Sequence, residues 1–412
     1  MKNVTILGAG VSGKAAAKLC AANQINCTIV SDDGGAILPD GDLIVVSPGL
    51  HPEKSPLYQQ ALASGREIIS EMEFGFRFWD KPLLAITGTN GKTTTTELTC
   101  YLLQACGIAA EVCGNIGRPL SDLAADGENC EAAVIEVSSF QLEKIRDFSP
   151  LAAVILNFQS DHIDRYPGGF AEYCATKEKI FNSVAAENRI YGLSFAEKSR
   201  RVEFAGGVLY LDGERFFDLA ESDLPGFHNG ENAAAAVELC LRYLPLEVVK
   251  SEKFLAALRS FRRGKHRVEK VAQINGVTYV DDSKGTNPAA VLAAIDSLPG
   301  KLVILLGGLG KGMDFSPLAT RADRFRAAIL YGADRADIFK VLDGRCHCID
   351  CGSDFEKVMK CAAEIALPGD TVLLSPACAS MDMFKNYAER GDVFARMAKR
   401  YYERPLVSLI IS

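Results

Sequence analysis

The sequence predicts an α/β protein of three domains, each built on a largely parallel β-sheet covered by helices. At about 150 residues per domain, 412 residues correspond to roughly two to three domains. Short apolar runs alternate with helical stretches along the whole chain, which is typical of parallel sheets. The predicted strands are Val4–Leu7, Leu43–Val46, Leu83–Ile86, Ala132–Ile135, Ala152–Leu156, Val277–Val280, Leu302–Leu306 and Thr371–Leu374.

Two changes in composition suggest the domain boundaries. The polar segment 80–82 precedes a new strand, and the basic, glycine-containing segment 261–265 follows an amphipathic helix. We therefore predict domains at residues 1–82, 83–262 and 263–412. Helices are expected at Lys14–Cys20, Phe170–Val184 and Gly230–Leu244.

Composition and charge limit the classes of partner. With 45 Lys and Arg against 52 Asp and Glu, the net charge of −7 offers no general attraction to nucleic acid or to an anionic membrane. There is no apolar run of 18 residues that would favour membrane insertion. We expect a cytoplasmic monomer that binds small molecules.

The cysteine pattern points to a reducing compartment. The 13 cysteines are scattered without the regular spacing of a disulfide framework. Cys346, His347, Cys348 and Cys351 form the most metal-like group, but a second ligand pair at suitable spacing is absent. We therefore do not expect a zinc site.

A first glycine-rich loop follows the first strand. Gly8, Gly10 and Gly13 form a GxGxxG pattern between a strand and a helix, which predicts a Rossmann-like domain that binds a diphosphate. Asp32 and Asp33 follow the next strand, where such a domain would hold a ribose. Both NAD and a UDP-sugar fit this pattern, so an NAD-dependent oxidoreductase remains an alternative at this point.

A second glycine-rich loop indicates phosphate transfer. The buried strand at Leu83 leads into Gly88, Thr89, Asn90, Gly91, Lys92, Thr93 and Thr94, followed by a helix. Backbone amides would surround phosphates, Lys92 would reach the β- and γ-oxygens, and the Thr93 hydroxyl would bind Mg²⁺. The loop is P-loop-type, although Ile86 stands where the first glycine of the usual pattern belongs. A dehydrogenase would leave this loop unexplained.

The loop TGTNGKTT at Thr87–Thr94 resembles the ATP loop of the Mur ligases, the cell-wall peptide ligases related to folylpolyglutamate synthase. Other blocks follow in that family's order and extend the resemblance over all three predicted domains. They are EVSSFQLE at 136–143, DHIDRY at 161–166, Lys177, HNGEN at 228–232, KHR at 265–267 and DDSKGTN at 281–287. The resemblance implies a central ATPase domain and a Rossmann-like C-terminal domain that closes over ATP and binds the amino acid.

Within the family, residues 305–318 and 374–394 resemble the members that add D-glutamate to UDP-N-acetylmuramoyl-L-alanine. A DNPR-type motif of the diaminopimelate-adding members is missing, and 82 residues precede Leu83, unlike in folylpolyglutamate synthase. The addition of D-glutamate is therefore expected, with another Mur ligase step as the alternative and an oxidoreductase as a remote one.

The resemblance also implies a mechanism and a metal centre. The substrate carboxylate would attack the γ-phosphate of ATP to form an acyl phosphate, which the amine of D-glutamate would then attack. Two Mg²⁺ ions are implied, with Thr93, Glu136, His162 and Lys177 as ligands, and Lys177 is expected to be carbamylated. Lys92, His162 and Lys177 are the implied catalytic residues.

The remaining implied contacts fall into three groups. Besides residues 88–94, Asn229, Asn232, His266, Arg267 and Asp282 would bind ATP. The UDP-muramoyl substrate would be held by Val11, Ser12, Asp32, Gly49 and Asn115. D-Glutamate would be held by Lys284, Thr286, Lys311, Ser380 and Tyr387.

Overall fold

The computed structural model describes residues 3–31, 35–161, 165–196, 200–224, 226–310 and 312–402. The chain divides into two compact units. The first comprises Met1–Phe158 and Arg165–Arg262, and the second comprises Gln159–Asp164 and Arg263–Ser412. Each of the three predicted domains contains at least one sheet of its own, and the three-domain division remains a prediction. Among the described residues, no helix is both long and apolar enough to cross a bilayer.

The N-terminal part of the first unit contains a four-stranded parallel sheet with the order β2-β1-β3-β4. Its strands are β1 (Asn3–Leu7), β2 (Asn26–Val30), β3 (Leu43–Val46) and β4 (Glu67–Ser70). Its helices are α1 (Val11–Ala22), α2 (Pro56–Ala63) and α3 (Glu71–Phe76). The apolar strands β1 and β3 lie side by side in the middle of the sheet, so their carboxyl ends share one edge.

The middle part of the first unit contains a five-stranded parallel sheet with the order β6-β7-β5-β8-β9. The strands are β5 (Leu83–Thr87), β6 (Ala110–Gly114), β7 (Ala132–Glu136), β8 (Ala152–Ile155) and β9 (Arg189–Tyr191). The helices are α4 (Lys92–Ala105), α5 (Leu120–Asp126), α6 (Ser139–Leu142) and α7 (Gly169–Glu178), followed by 3-10 helices at Lys179–Phe181 and Ala186–Asn188. All residues of β5, β7 and β8 are buried, because apolar clusters pack on both faces of the sheet.

The end of the first unit was only partly predicted. A three-stranded antiparallel sheet consists of β10 (Val202–Ala205), β11 (Val208–Leu211) and β12 (Glu214–Asp218). A 3-10 helix at Leu219–Glu221 and the helices α8 (Phe227–Leu241), α9 (Leu246–Val249) and α10 (Glu252–Ser260) follow. The predicted helix at Gly230 thus begins three residues earlier, at Phe227, with Gly226 as its N-cap.

Two buried carboxylates connect α3 to the middle part of the unit. Glu73 accepts hydrogen bonds from the backbone amides of Arg146, Asp147 and Phe148 at 3.0, 2.9 and 3.0 Å. Glu71 accepts one from the amide of Ser121 at 2.8 Å. Since a buried carboxylate without donors is strongly unfavourable, these bonds hold α3 in place.

The second unit contains a six-stranded sheet with the order β13-β14-β18-β15-β16-β17, in which only the pair β13 and β14 is antiparallel. The strands are β13 (Glu269–Ile274), β14 (Val277–Asp281), β15 (Leu302–Gly307), β16 (Phe325–Tyr331), β17 (Cys348–Asp350) and β18 (Thr371–Leu374). The helices are α11 (Pro288–Asp296), α12 (Arg335–Leu342), α13 (Phe355–Ile365) and α14 (Tyr387–Tyr402), with a 3-10 helix at Ser316–Arg324.

Candidate active site

The loop between β5 and α4 is shaped to receive phosphate. It lies at the carboxyl edge of a parallel sheet, next to the N-terminus of α4, where backbone amides favour an anion. Gly91 is the N-cap of α4 with φ of +86° and offers no capping side chain. A Cβ atom at this position would overlap Asn232 Oδ1 on α8, so only glycine fits.

Lys92 places its ammonium group directly over this loop. Its Nζ donates to the carbonyl oxygens of Gly88 and Thr89 at 2.9 and 2.8 Å. The first turn of α4 therefore brings a cation and the helix N-terminus to the same place. Both are suited to a triphosphate.

Thr93 and Glu136 form a buried oxygen cluster beside the loop. The Thr93 hydroxyl donates to Glu136 Oε2 at 2.6 Å, and the side-chain amide of Asn115 donates to Glu136 Oε1 at 2.7 Å. Glu136 ends β7, the neighbour of β5 in the sheet, and is 1% exposed. Hydroxyl and carboxylate oxygens are the ligands that Mg²⁺ prefers, so this donor set fits the ion.

Lys177 projects from α7 to the same loop although it is distant in sequence. Its side chain is buried, and Nζ donates to Gly88 O at 2.9 Å and lies 3.5 Å from Thr87 Oγ1. The ammonium also lies 4.8 Å from the centre of the Tyr173 ring. A lysine on a solvated helix face would not be held in this way.

Two neighbours of the loop were not predicted from the sequence. Asn157 accepts from the amide of Asn90 at 3.0 Å and donates to its carbonyl at 3.1 Å. The hydroxyl groups of Tyr173 and Thr89 lie 3.0 Å apart. Asn157 follows β8, so its position at the carboxyl edge beside β5 was the signal that could have identified it.

Of the other central residues that were predicted, Asn232 is buried on α8, with Oδ1 3.5 Å from the Thr95 hydroxyl. Asn229 lies in the first turn of α8 and is half-buried. His162 lies outside the described residues. The described metal candidates Thr93, Glu136 and Lys177 thus all lie around one loop.

The N-terminal glycine loop has the expected geometry. Gly8 has φ of +101°, and a Cβ atom on Gly13 would overlap the Gly8 carbonyl, so α1 packs directly on the turn. Val11 is 74% exposed at the start of α1, and Ser12 is half-buried. Gly49 follows β3 at the same edge of the sheet. Asp32 lies outside the described residues.

Asn115, predicted to face the muramoyl group, is tied to the central cluster. Besides its side-chain contact, its backbone amide donates to Glu136 O at 2.9 Å. Its contact with the substrate remains a prediction.

In the second unit, Asp282 lies directly after β14 and is buried. It accepts from the Ser375 hydroxyl at 2.6 Å and from the Val268 amide at 3.3 Å. Burial raises the pKa of Asp282 to about 7, although these hydrogen bonds and the Arg267 charge act in the opposite direction. His266 is 7% exposed, and its Nδ1 lies 2.7 Å from Asp281 Oδ2.

Two of the residues predicted to bind D-glutamate, Lys284 and Tyr387, meet at the start of α14. Lys284 Nζ donates to the Tyr387 hydroxyl at 3.3 Å and lies 4.6 Å from the centre of that ring. Thr286 is half-buried in the same loop as Lys284, and Ser380 is buried between β18 and α14. Lys311 lies outside the described residues.

The sulfur atoms of the metal-like cysteine group lie in two different pairs. Cys346 and Cys348 place their sulfur atoms 3.8 Å apart, whereas Cys351 lies 3.9 Å from Cys361. Among the histidine, cysteine, aspartate and glutamate side chains of the described residues, His266, Glu269 and Asp281 are the group of three whose potential ligand atoms lie within 4.8 Å of one another.

Comparisons with known proteins agree with these features. Residues 86–201 match the family model described as the Mur ligase middle domain, and residues 266–378 match the one described as Mur ligase, glutamate ligase domain. The UDP-N-acetylmuramoylalanine–D-glutamate ligase of Aromatoleum aromaticum is 37% identical over 462 residues, covering 98% of each chain. The chain belongs to the Mur ligase family. The UDP-N-acetylmuramoylalanine–D-glutamate ligase of Geotalea uraniireducens is 39% identical to this Mur ligase, and the match covers 87% of this chain and 83% of that one.

Solved structures show the same fold at low sequence identity. This Mur ligase superimposes on the UDP-N-acetylmuramate-alanine ligase of Thermotoga maritima with a TM-score of 0.61 and 16% identity, covering 97% of this chain and 99% of that one. A pseudomurein peptide ligase type C from Methanothermus fervidus gives a TM-score of 0.61 at 16% identity, covering 97% and 100%. The α/β fold predicted from the sequence is therefore confirmed.

The contact between Gly91 and Asn232 gives a first testable expectation. Gly91→Ala should weaken ATP binding by about tenfold or more, because alanine is strained at this positive φ and its methyl group must displace the Asn232 side chain beside the loop. Gly107→Ala is a matched control, since Gly107 also has positive φ (+94°) but its added Cβ would have no atom within 4 Å. Calorimetric titration with ATP checks both variants, and equal affinities would show that the Asn232 contact is unimportant.

Proposed function

We propose that this chain is an ATP-dependent ligase that adds D-glutamate to UDP-N-acetylmuramoyl-L-alanine in the synthesis of peptidoglycan precursors. The observation that carries the proposal is 35–39% identity to relatives named UDP-N-acetylmuramoylalanine–D-glutamate ligase. The loop at residues 88–94 supplies the phosphate chemistry that such a ligase requires. The 13 free thiols are consistent with a reducing cytoplasm.

The chemistry begins with an unreactive carboxylate, whose oxide leaving group resists displacement by an amine. In the proposed reaction, a carboxylate oxygen attacks the γ-phosphorus of ATP, the bond to the β–γ bridging oxygen breaks, and ADP leaves. The D-glutamate amine then attacks the acyl phosphate, loses a proton, and the tetrahedral intermediate expels phosphate. Phosphoryl transfer depends mainly on positioning and on neutralising the oxygens. Lys92 and the N-terminus of α4 fulfil both requirements.

Thr93 and Glu136 are the proposed ligands of one Mg²⁺ ion. When bound there, the ion would neutralise phosphate charge and orient the phosphate oxygens. The 2.6 Å contact between the two side chains and the Asn115 amide on Glu136 hold these oxygens at the phosphate loop. Asn115 therefore fixes the orientation of the carboxylate.

Lys177 is proposed to be carbamylated and, with His162, to hold a second Mg²⁺ ion. Addition of CO₂ to the neutral amine replaces a cation by an anionic oxygen ligand and leaves one N–H. That N–H can retain the bond to Gly88 O, now 2.9 Å from Nζ. The position of the buried side chain at the phosphate loop supports the proposal, because a carbamate there would place its oxygens beside the loop.

The other substrate contacts that the sequence predicts are also part of the proposal. Asn229, Asn232, His266, Arg267 and Asp282 would bind ATP. Lys284, Thr286, Lys311, Ser380 and Tyr387 would bind D-glutamate, whose two carboxylates require cations and hydroxyl donors. Val11, Ser12, Asp32, Gly49 and Asn115 would bind the UDP-muramoyl substrate.

The test of the proposed function is the choice of amine. Phosphate release from ATP with UDP-N-acetylmuramoyl-L-alanine should depend on D-glutamate, with L-glutamate, L-alanine and diaminopimelate at least about tenfold poorer, because one lost charged contact has roughly that effect. Mass spectrometry of the product provides a second readout.

Two results would contradict the proposal. Equal or better turnover of another amino acid would assign the enzyme to a different Mur ligase step. Tight NADH binding with redox activity that does not require ATP would favour the oxidoreductase alternative.

A further inference from the structure

The segment that leads into β13 has an unusual backbone. His266 and Val268 have φ of +64° and +50°, on either side of Arg267. Such values are unfavourable for side chains with a Cβ, most of all for a β-branched valine. The turn at residues 266–268 is therefore strained and requires contacts that hold it.

Two acidic residues, the buried Asp281 and the half-buried Glu269, supply these contacts. Asp281 Oδ2 lies 2.7 Å from His266 Nδ1, while its Oδ1 accepts from the Ser283 amide at 2.8 Å. Glu269 accepts from the backbone amide of His266 at 3.0 Å. Asp281 is fully buried and His266 is 7% exposed, so water competes little for these bonds.

Gly391 on α14 completes this arrangement. A Cβ atom there would overlap His266 Nδ1 and approach Asp281 Oδ2 to 2.5 Å. The helix can therefore pack against the His266–Asp281 pair only because residue 391 is glycine.

The turn is bonded directly to residues proposed to bind ATP and D-glutamate. The amide of Val268 donates to Asp282 Oδ1 at 3.3 Å, and the amide of Lys284 donates to His266 O at 3.2 Å. Any movement of the turn must therefore displace Arg267, Asp282 or Lys284.

A metal ion is a poor alternative explanation for this cluster, although His266, Glu269 and Asp281 could offer three ligands. The adjoining cavity is also lined by five cationic side chains, which would repel a divalent cation. They are Lys265, Lys270, Arg396, Lys399 and Arg400. His266 Nδ1, a nitrogen atom that could bind a metal, already lies 2.7 Å from Asp281 Oδ2.

We infer that Asp281 is a positioning residue, which through its contact with His266 holds the strained turn so that Arg267 and Asp282 are presented to ATP. The inference rests on the proposed function, since it assumes that these two residues bind the nucleotide. Asp281 acts through the turn and does not touch the reacting atoms.

The test is direct calorimetric binding of ATP with Mg²⁺, which does not require the ligase reaction. Asp281→Ala should raise the Kd for ATP about tenfold or more, because the charged contact made by Arg267 is misplaced. Asp281→Asn should remain within about threefold of the wild type. Its amide can accept from the Ser283 N–H and donate to Nδ1 of the other His266 tautomer.

A matched control separates positioning from general stability. Asp370 is also a buried acid of the second unit, paired with Arg326 at 2.9 Å and accepting from the Leu367 amide at 2.8 Å. Asp370→Ala should lower Tm, as Asp281→Ala does, without changing the Kd for ATP. Gly391→Ala should reproduce the Asp281→Ala defect by separating His266 from Asp281.

A double-mutant comparison tests the route through Arg267. In an Arg267→Ala background, Asp281→Ala should weaken ATP binding little further, because the group that it positions is already gone. Additive losses, a normal Kd for Asp281→Ala, or an equal defect in Asp370→Ala would overturn the inference. If the wild type binds ATP but adds no D-glutamate, the proposed ligase function fails and these binding comparisons still decide the role of Asp281.

Discussion

A Lys92→Ala variant is expected to release phosphate from ATP at least about 100-fold more slowly than the wild type, because removing one preorganised charge donor has an effect of that size. The ammonium group of Lys92 lies at the N-terminus of α4 and donates to two loop carbonyls. Lys92 is the first residue of α4, so the helix that follows the phosphate loop also provides this cation. Continuous measurement of phosphate with both substrates present checks this result.

Lys81→Ala is the matched control for this variant. Lys81 Nζ also donates to two backbone carbonyls, those of Gly127 and Glu128 at 2.9 and 2.8 Å, in the same unit. Both substitutions remove similar hydrogen bonds, but only Lys92 lies at the phosphate loop. Comparable losses of activity in the two variants would attribute the effect to the fold and not to phosphate transfer.

The second large effect is expected at Lys177. Lys177→Ala should lose most of the ligase activity, and formate or acetate should restore part of it, because a small acid can occupy the position of the carbamate oxygens. A lysine that acts as an ammonium could not be replaced by an anion. The measurement is phosphate release as a function of added carboxylate.

Two comparisons make the Lys177 result decisive. Carboxylates should not rescue Lys92→Ala, in which the missing group is a cation. Because Lys177 is buried, Tm should be measured alongside activity, and a ¹³CO₂-labelled carbamate signal in the wild type gives a readout that does not depend on the variant's folding. Full activity of Lys177→Ala, or rescue by amines alone, would exclude the carbamate.

Much of the fold could be predicted because parallel strands are buried on both faces and therefore appear as continuous apolar runs. The strands β3 and β18 match the predicted bounds at both ends. The antiparallel sheet β10–β12 was missed because its strands are short and partly exposed, so neither a continuous run nor a clear alternation stands out.

The site was predictable where local sequence determines local geometry. Gly91, Lys92 and Thr93 are consecutive, and the loop's strand and helix position them together. The contacts of Asn157 with Asn90 and of His266 with Asp281 join residues that are 67 and 15 positions apart. Such contacts depend on strand order and on positive φ values, which residue type alone does not specify.

The buried carboxylates of α3 also affect how the protein folds. Glu73 and Glu71 take their hydrogen-bond donors from residues 121 and 146–148, beyond the predicted boundary at residue 82. Separation of residues 1–82 from the rest would remove these donors and would expose to water both carboxylates and the buried Met72, which belongs to an apolar cluster of the middle sheet. We therefore expect the N-terminal sheet to unfold together with the middle sheet, and a fragment that ends at residue 82 to be less stable than the same residues in the intact chain.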